Sequence, residues 1–294
     1  MKNLLHKSAI LAAAFAALVS FASCDDGEDK GPKFKSELIG SYVPTYIEVP
    51  TATGDDFNKM YFTLTPTWAD PNNIPTVDGS FMLGFPAGSL PMGMNDVLPF
   101  VDGIASHFVK EGLVGIDLKN DGSFGAQYRT PIFSDNILGD LISSQGVKFD
   151  PAIHTFPGTE TDEILPAGAL SYYTENGKLF FAVSKEFLKT AGADLGVGDL
   201  SVIIEELLAQ YKGLNIVSTE EYYALPLKYT LENGVVKVYV DRAMILPYKK
   251  LLTELLGAFL DPSTLGGIDV ADMITKLIDG TSELEIAFRL KKVA

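Results

Sequence analysis

The stretch FASCDDGEDK, residues 21 to 30, holds the only cysteine of the chain, Cys24, directly before Asp25, Asp26, Glu28 and Asp29. A lone thiol is most often a buried small hydrophobe or half of an intermolecular disulfide. Neither suits this position, because an apolar run ends at Cys24 and a solvated acidic run begins, so no core can enclose the sulfur. Without a second cysteine the chain closes no internal disulfide, and its stability must come from packing.

The other groupings that could do chemistry are incomplete. Ser134-Asp135-Asn136 matches one element of serine β-lactamases and Lys189-Thr190-Ala191 approximates another, but no S-x-x-K lies upstream to supply the nucleophile. Asp135 suits the cap of a helix through ILGDLI instead. DLKNDGSF (117–124) offers Asp117, Asp121 and Gly122 at calcium-loop spacing, yet Lys119 at the third position opposes a cation and Tyr128 stands where a bidentate glutamate belongs. A hairpin turn accounts for the same residues. His107 borders the apolar stripe of a helix and His154 lies in a proline-rich loop, neither with a metal-binding partner at helical spacing, so no metal or cofactor is expected. Acids cluster at Glu160, Asp162 and Glu163, at Glu205-Glu206 and at Glu220-Glu221. Glycoside hydrolysis needs two carboxylates fixed about 5 to 10 Å apart across a sugar, a distance that adjacency in sequence does not set. Trp68, the single tryptophan, sits among prolines and asparagines, where its ring could stack on a flat ligand or close one end of a barrel.

Upstream of Cys24, Lys2 and Lys7 precede an uncharged, mostly apolar run from Ser8 to Ser23. That run is short of the ~20 residues a spanning helix needs and has the form of a secretory signal, residues 1–23, absent from the mature protein. The cleavage end, Ala22-Ser23-Cys24, resembles a bacterial lipoprotein signal, with Phe21 where that family usually has leucine. The resemblance implies that Cys24 becomes the mature N-terminus and carries acyl chains on its sulfur and its amine. The acidic run Asp25, Asp26, Glu28, Asp29 is similar to the export signal of Bacteroidota lipoproteins displayed on the outer face of the outer membrane. One acyl chain anchors only marginally, at about 0.8 kcal/mol per buried methylene, so stable attachment takes several.

The full chain carries a net charge of −15 at pH 7, and removing Lys2 and Lys7 leaves the mature part more acidic still. With no basic cluster to offset that charge, nucleic-acid binding is disfavoured. Residues 24–36 lack apolar periodicity and read as an acidic, flexible tether, leaving 37–294 as one folded domain.

Any site must be positioned by the elements of that domain. Period-two alternation marks strands in KMYFTLT (59–65), GKLFFAVS (177–184), GVVKVYVD (234–241) and SELEIAFRLKK (282–292), the last with Leu284, Ile286, Phe288 and Leu290 facing one way. Asn120-Asp121-Gly122, Asn176-Gly177 and Asn233-Gly234 signal hairpin turns. Two of these sit in a weak internal repeat, residues 172–184 and 229–241, which share tyrosine, Glu-Asn-Gly and an alternating apolar tail. Helical stripes fall at 94, 97, 98, 101, 104, 105 and 108, at 200, 203, 204, 207, 208 and 211, and in the segments opening at Pro247 and Asp269.

This order predicts an α+β fold, predominantly antiparallel, in which amphipathic helices lie between hairpins and cover a barrel or strongly curved sheet. SELIGSYVPTYIEVP (36–50) resembles the first strand of lipocalin-like or calycin-like lipoproteins through Gly40 and Tyr42, with tyrosine where lipocalins commonly have tryptophan. That resemblance implies an interior pocket of several hundred Å³ for a small apolar or aromatic ligand. The expected role is therefore a non-catalytic surface lipoprotein that binds such a ligand or a surface protein partner. Two alternatives are a hydrolase or glycan-processing accessory with an acidic site, and a scaffold subunit of an outer-membrane complex.

Overall fold

Alternating apolar residues need a surface to bury against, and in the computed structural model they obtain it by curling one sheet around its own inner face. The structure describes residues 36–50, 57–83, 88–134, 137–142, 146–156, 169–195, 199–211, 213–259 and 269–293. Cys24 with its acidic run, Asp135 and the acids at 160–163 lie outside the described residues. The strands are β1 (Gly40–Thr45), β2 (Ile47–Pro50), β3 (Phe57–Met60), β4 (Phe62–Trp68), β5 (Thr76–Asp78), β6 (Pro91–Gly93), β7 (Leu113–Leu118), β8 (Phe124–Tyr128), β9 (Pro131–Ile132), β10 (Lys148–Phe149), β11 (His154–Phe156), β12 (Leu170–Glu175), β13 (Lys178–Ser184), β14 (Val217–Ser218), β15 (Tyr222–Glu232), β16 (Val235–Asp241) and β17 (Thr281–Lys292). The helices are α1 (Ser80–Leu83), α2 (Met94–Gly112), α3 (Ile137–Ile142), α4 (Lys185–Leu195), α5 (Leu200–Gln210), α6 (Arg242–Ile245), α7 (Lys249–Phe259) and α8 (Val270–Gly280).

Eleven strands make one antiparallel sheet in the order β11-β8-β7-β1-β17-β16-β15-β13-β12. β4 continues the β17 edge beyond β1, and β14 continues the β15 edge beyond β16. The sheet curls until Ser123 forms a bridge with Ser171 and the Tyr172 N–H donates to Gly122 O at 2.9 Å. Ladder pairing does not continue along that seam among the described residues, so the sheet stays open and is not a closed barrel. Pro44, Pro66 and Pro226 all sit where one flank of the strand has no ladder partner, as a residue without an N–H requires.

Both copies of the repeated segment form hairpins, β12–β13 and β15–β16, which lie side by side through the β13–β15 pairing. Their turns place Asn176 at φ 49° and Gly177 at 71°, and Asn233 at 52° and Gly234 at 76°, the doubly positive turn that matches strand twist. Four local readings need correction. The 59–65 strand breaks at Tyr61, because β3 pairs with β2 while β4 pairs with β17. The 36–50 segment divides at Tyr46 for the same reason. Ile203 is 36% exposed because the buried stripe of α5 runs through Leu200, Ile204, Leu207 and Leu208. Pro247 belongs to a 3-10 turn, Leu246–Tyr248, before α7.

The inner face of the sheet is mainly apolar. Tyr42, Ile116, Leu118, Leu179, Val236, Val238 and Leu290 meet inside the curl. Beyond it, α2 and α8 cover Leu64, Leu284 and Ile286, while α5, α6 and α7 cover Phe181, Leu225 and Val240. Asp199 caps α5 by accepting from Ser201 N–H at 2.9 Å, and Asp269 caps α8 by accepting from Asp272 N–H at 2.8 Å. The outer face above β15, β16 and β17 is charged: Lys228 pairs with Asp241, and Lys237 with Glu285 at 2.9 Å. Strand registers give the domain two unlike ends. The turns at 119–122, 176–177 and 233–234, the entry of the chain at Ser36 and its exit at Val293 share one end, and helices α4 to α8 join the strands at the other.

Leu290→Ala should lower unfolding free energy by about 2 to 5 kcal/mol, because it removes a side chain from the inside of the curl. Val202→Ala, on the open side of α5, should change it by no more than about 0.5 kcal/mol. Denaturant unfolding followed by circular dichroism measures both.

Candidate functional site

The curl encloses the region in which a ligand was expected. Leu38, Tyr42, Phe181, Phe288 and their neighbours line a void of about 20 Å³, which matches the space of roughly one water molecule. Its lining is apolar and aromatic, and this void is much smaller than the pocket of several hundred Å³ that the resemblance implies. Large side chains from facing strands fill the interior, and Leu38, wholly buried just before β1, closes it from the turn end. Two phenols enter this apolar space. Tyr172 Oη donates to Lys119 O at 2.7 Å, and burial, helped by nearby Tyr42 and Asp121, pushes its pKa up to about 12. Tyr42 Oη is buried with no hydrogen-bond partner among the described residues, and burial raises its pKa as well.

A second polar device lies on α2. β4 pairs with β17 along one edge, and its opposite edge meets α2. There Ser106 Oγ accepts from Phe62 N–H at 3.0 Å and donates to Phe62 O at 3.0 Å. One turn earlier on the helix, the Asp102 carboxyl accepts from the Leu64 N–H. These two side chains supply the hydrogen bonds that a neighbouring strand would otherwise give. Oδ1 of Asp102 is buried without a partner among the described residues, and desolvation pushes the carboxyl up to about 6. Burial is what raises it, and among the described residues no second carboxylate contributes to the shift. Sequence reading passed over Asp102; the available signal was an acid beside stripe positions 98, 101 and 105, with a serine at i+4.

The residues singled out from sequence do not converge. Trp68 ends β4 and packs half-buried in the cluster of Met94, Val97 and Ile278, its indole N–H donating to Asn95 Oδ1 at 2.5 Å. Its ring thus helps to close the helix end. In the 117–124 segment the Asp121 carboxylate accepts from Ser123 N–H at 2.8 Å, and Gly122 takes φ 81°, which is a hairpin turn. His107 Nε2–H donates to Val147 O at 2.7 Å. His154 lies in strand β11, not in a loop, and stacks on Tyr128 at 5.5 Å. Glu205 pairs with Lys185 at 3.2 Å and accepts from Tyr223 Oη at 3.0 Å, while Glu206 faces outward. Among the described residues no three His, Cys, Asp or Glu side chains are disposed to hold a metal ion, and no helix is long and apolar enough to cross a membrane.

Apolar side chains do reach the surface at the helix end. Ile132 and Ile153 are 52% and 51% exposed on neighbouring segments that Asp150 N–H joins to Thr130 O at 2.9 Å. Phe133 beside them stacks on Phe108 at 6.3 Å. Compared with known proteins, the chain matches no protein family, no curated protein and no solved structure.

Tyr172→Phe should cost about 0.5 to 1.5 kcal/mol through loss of its bond to Lys119 O, whereas Tyr42→Phe should cost less or stabilise. Chemical denaturation of both variants gives the order. Because the folded pKa of Asp102 lies above the ordinary carboxylate value near 3.9, its contribution to stability falls as pH rises from about 4 to about 6. Asp102→Asn should therefore gain Tm relative to the parent across that interval and keep the gain at pH 8, as measured by scanning calorimetry.

Proposed function

We propose that the chain is a lipoprotein, anchored by acyl chains on Cys24 to the outer membrane with its folded domain facing the cell exterior, where it engages a partner through its surface without catalysing a reaction. The observation that carries the anchor is the position of Cys24 in the sequence, between an apolar signal-like run and an acidic run that leads to the described fold, where Leu38 is fully buried. A surface role is favoured over an interior ligand because side chains occupy the curl down to about 20 Å³. Ile132, Phe133 and Ile153 stand at the end of the domain opposite the tether, the part best placed to meet something outside the cell. An interior ligand is the second reading, favoured by the wholly apolar and aromatic lining of the void and by the buried Tyr42 hydroxyl, which has no partner among the described residues.

Cys24→Ala should release the protein from the membrane fraction and abolish labelling with radioactive palmitate. Replacing Asp25, Asp26, Glu28 and Asp29 with alanine should leave labelling intact and reduce cleavage by protease added to whole cells. Titration of the purified domain with an environment-sensitive apolar dye should show no saturable, near-stoichiometric binding; such binding would move the interior reading ahead.

A further inference from the structure

We infer that the turn end of the domain rests on the lipid surface, an inference that depends on the anchor at Cys24 proposed above. Three independent features of that end point to a membrane as its occupant.

The first is reach. Cys24 lies twelve positions before Ser36, where the described chain meets the turn end. A chain of that length spans about 20 Å on average as a random coil and about 40 Å at full extension. The lipid surface is thus held close to this end, and the helix end points away from it.

The second feature is apolar exposure. Ile39, Leu231 and Val293 are 38%, 41% and 49% exposed at this end. They form one rim: Lys292 Nζ donates to Ile39 O at 2.7 Å, Lys292 N–H to Gly234 O at 2.8 Å, and Val293 N–H to Ser41 O at 2.8 Å. Leu231 pairs directly with Val236 in the hairpin that closes at Gly234. Three aliphatic side chains bind a bilayer weakly from solution, but a short tether raises their effective concentration at the surface enough for contact to dominate.

The third feature is charge. At the tips and the chain entry, Lys119, Lys178, Lys291 and Lys292 balance Glu37, Asp121, Glu175 and Glu232, in a chain whose net charge is −15. These described tips are therefore close to neutral, and the acidic run at 25–29 belongs to the tether that leads to them. Anionic headgroups repel an acidic surface and leave a neutral one free to approach, so this end is the face that electrostatics allows against lipid.

The test uses full-length, acylated protein in phosphatidylethanolamine and phosphatidylglycerol vesicles. With Cys24 acylated, a cysteine introduced as Ser41→Cys at the turn end, or as Gln210→Cys at the helix end, is the single free thiol for a fluorescent label. Brominated lipid should quench the label at 41 about threefold more than that at 210, the contrast expected of shallow interfacial contact. Adding Ile39→Asp and Val293→Asp should remove the difference while the protein stays on the vesicles. Equal quenching at both sites, or a difference that survives the two aspartates, would overturn the docking. The mass of the N-terminal peptide is read in the same samples: an unmodified Cys24 overturns the lipoprotein reading and this inference with it, whereas an acylated Cys24 with equal quenching overturns the docking alone.

Discussion

Strand β17 is the element on which the rest of the sheet depends. It pairs with β16 along one edge, and with β1 and then β4 along the other, so three separate parts of the chain are aligned by one twelve-residue segment. Its inner row does the same for the core. Leu290 and Phe288 lie inside the curl, while Ile286 and Leu284 lie under α2 and α8, so one run of alternating side chains joins the two apolar regions. A slip of one residue would turn the whole row outward and expose the charged row inside. The outer row, Glu285 with Lys237 and Arg289 with the Thr63 hydroxyl, therefore also opposes misregistry.

The pairing of β17 with two successive strands on one edge has a cost that the helices meet. β1 leaves to join β7, so β4 begins with no neighbour on its far side. An uncovered edge exposes unpaired backbone groups. α2 covers it with Ser106 and Asp102, and the burial that makes the cover effective also raises the pKa of Asp102. An acid held near its titration point can thus arise from sheet closure without any catalytic demand.

The same economy explains the filled interior. A sheet that almost closes through Ser123 and Ser171 has a narrow lumen, and tyrosine and phenylalanine side chains from facing strands meet across it. The helix stripes, which in sequence look like apolar surface in excess of what a barrel needs, are used beyond the curl. There helix and strand side chains pack into two further clusters. Among the described residues, the apolar side chains inside the curl leave a void of about 20 Å³.

Local rules carried much of the architecture. Alternation named the inner row of β17, Asn-Gly located both repeated hairpins, and Asp199 and Asp269 capped the helices they precede, because strand period, turn geometry and capping depend on residues a few positions apart. The proposed anchor likewise rests on contiguous residues, from Lys2 to Asp29. What the sequence could not determine was every relation set by distant partners. The breaks at Tyr46 and Tyr61, the outward turn of Ile203, the packing of Trp68 against α2 and α8, and the role of Asp102 depend on which strand or helix arrives alongside. The volume of the lumen belongs to the same class: it is the small difference between the space a curled sheet encloses and the side chains that fill it, and only their three-dimensional arrangement decides it.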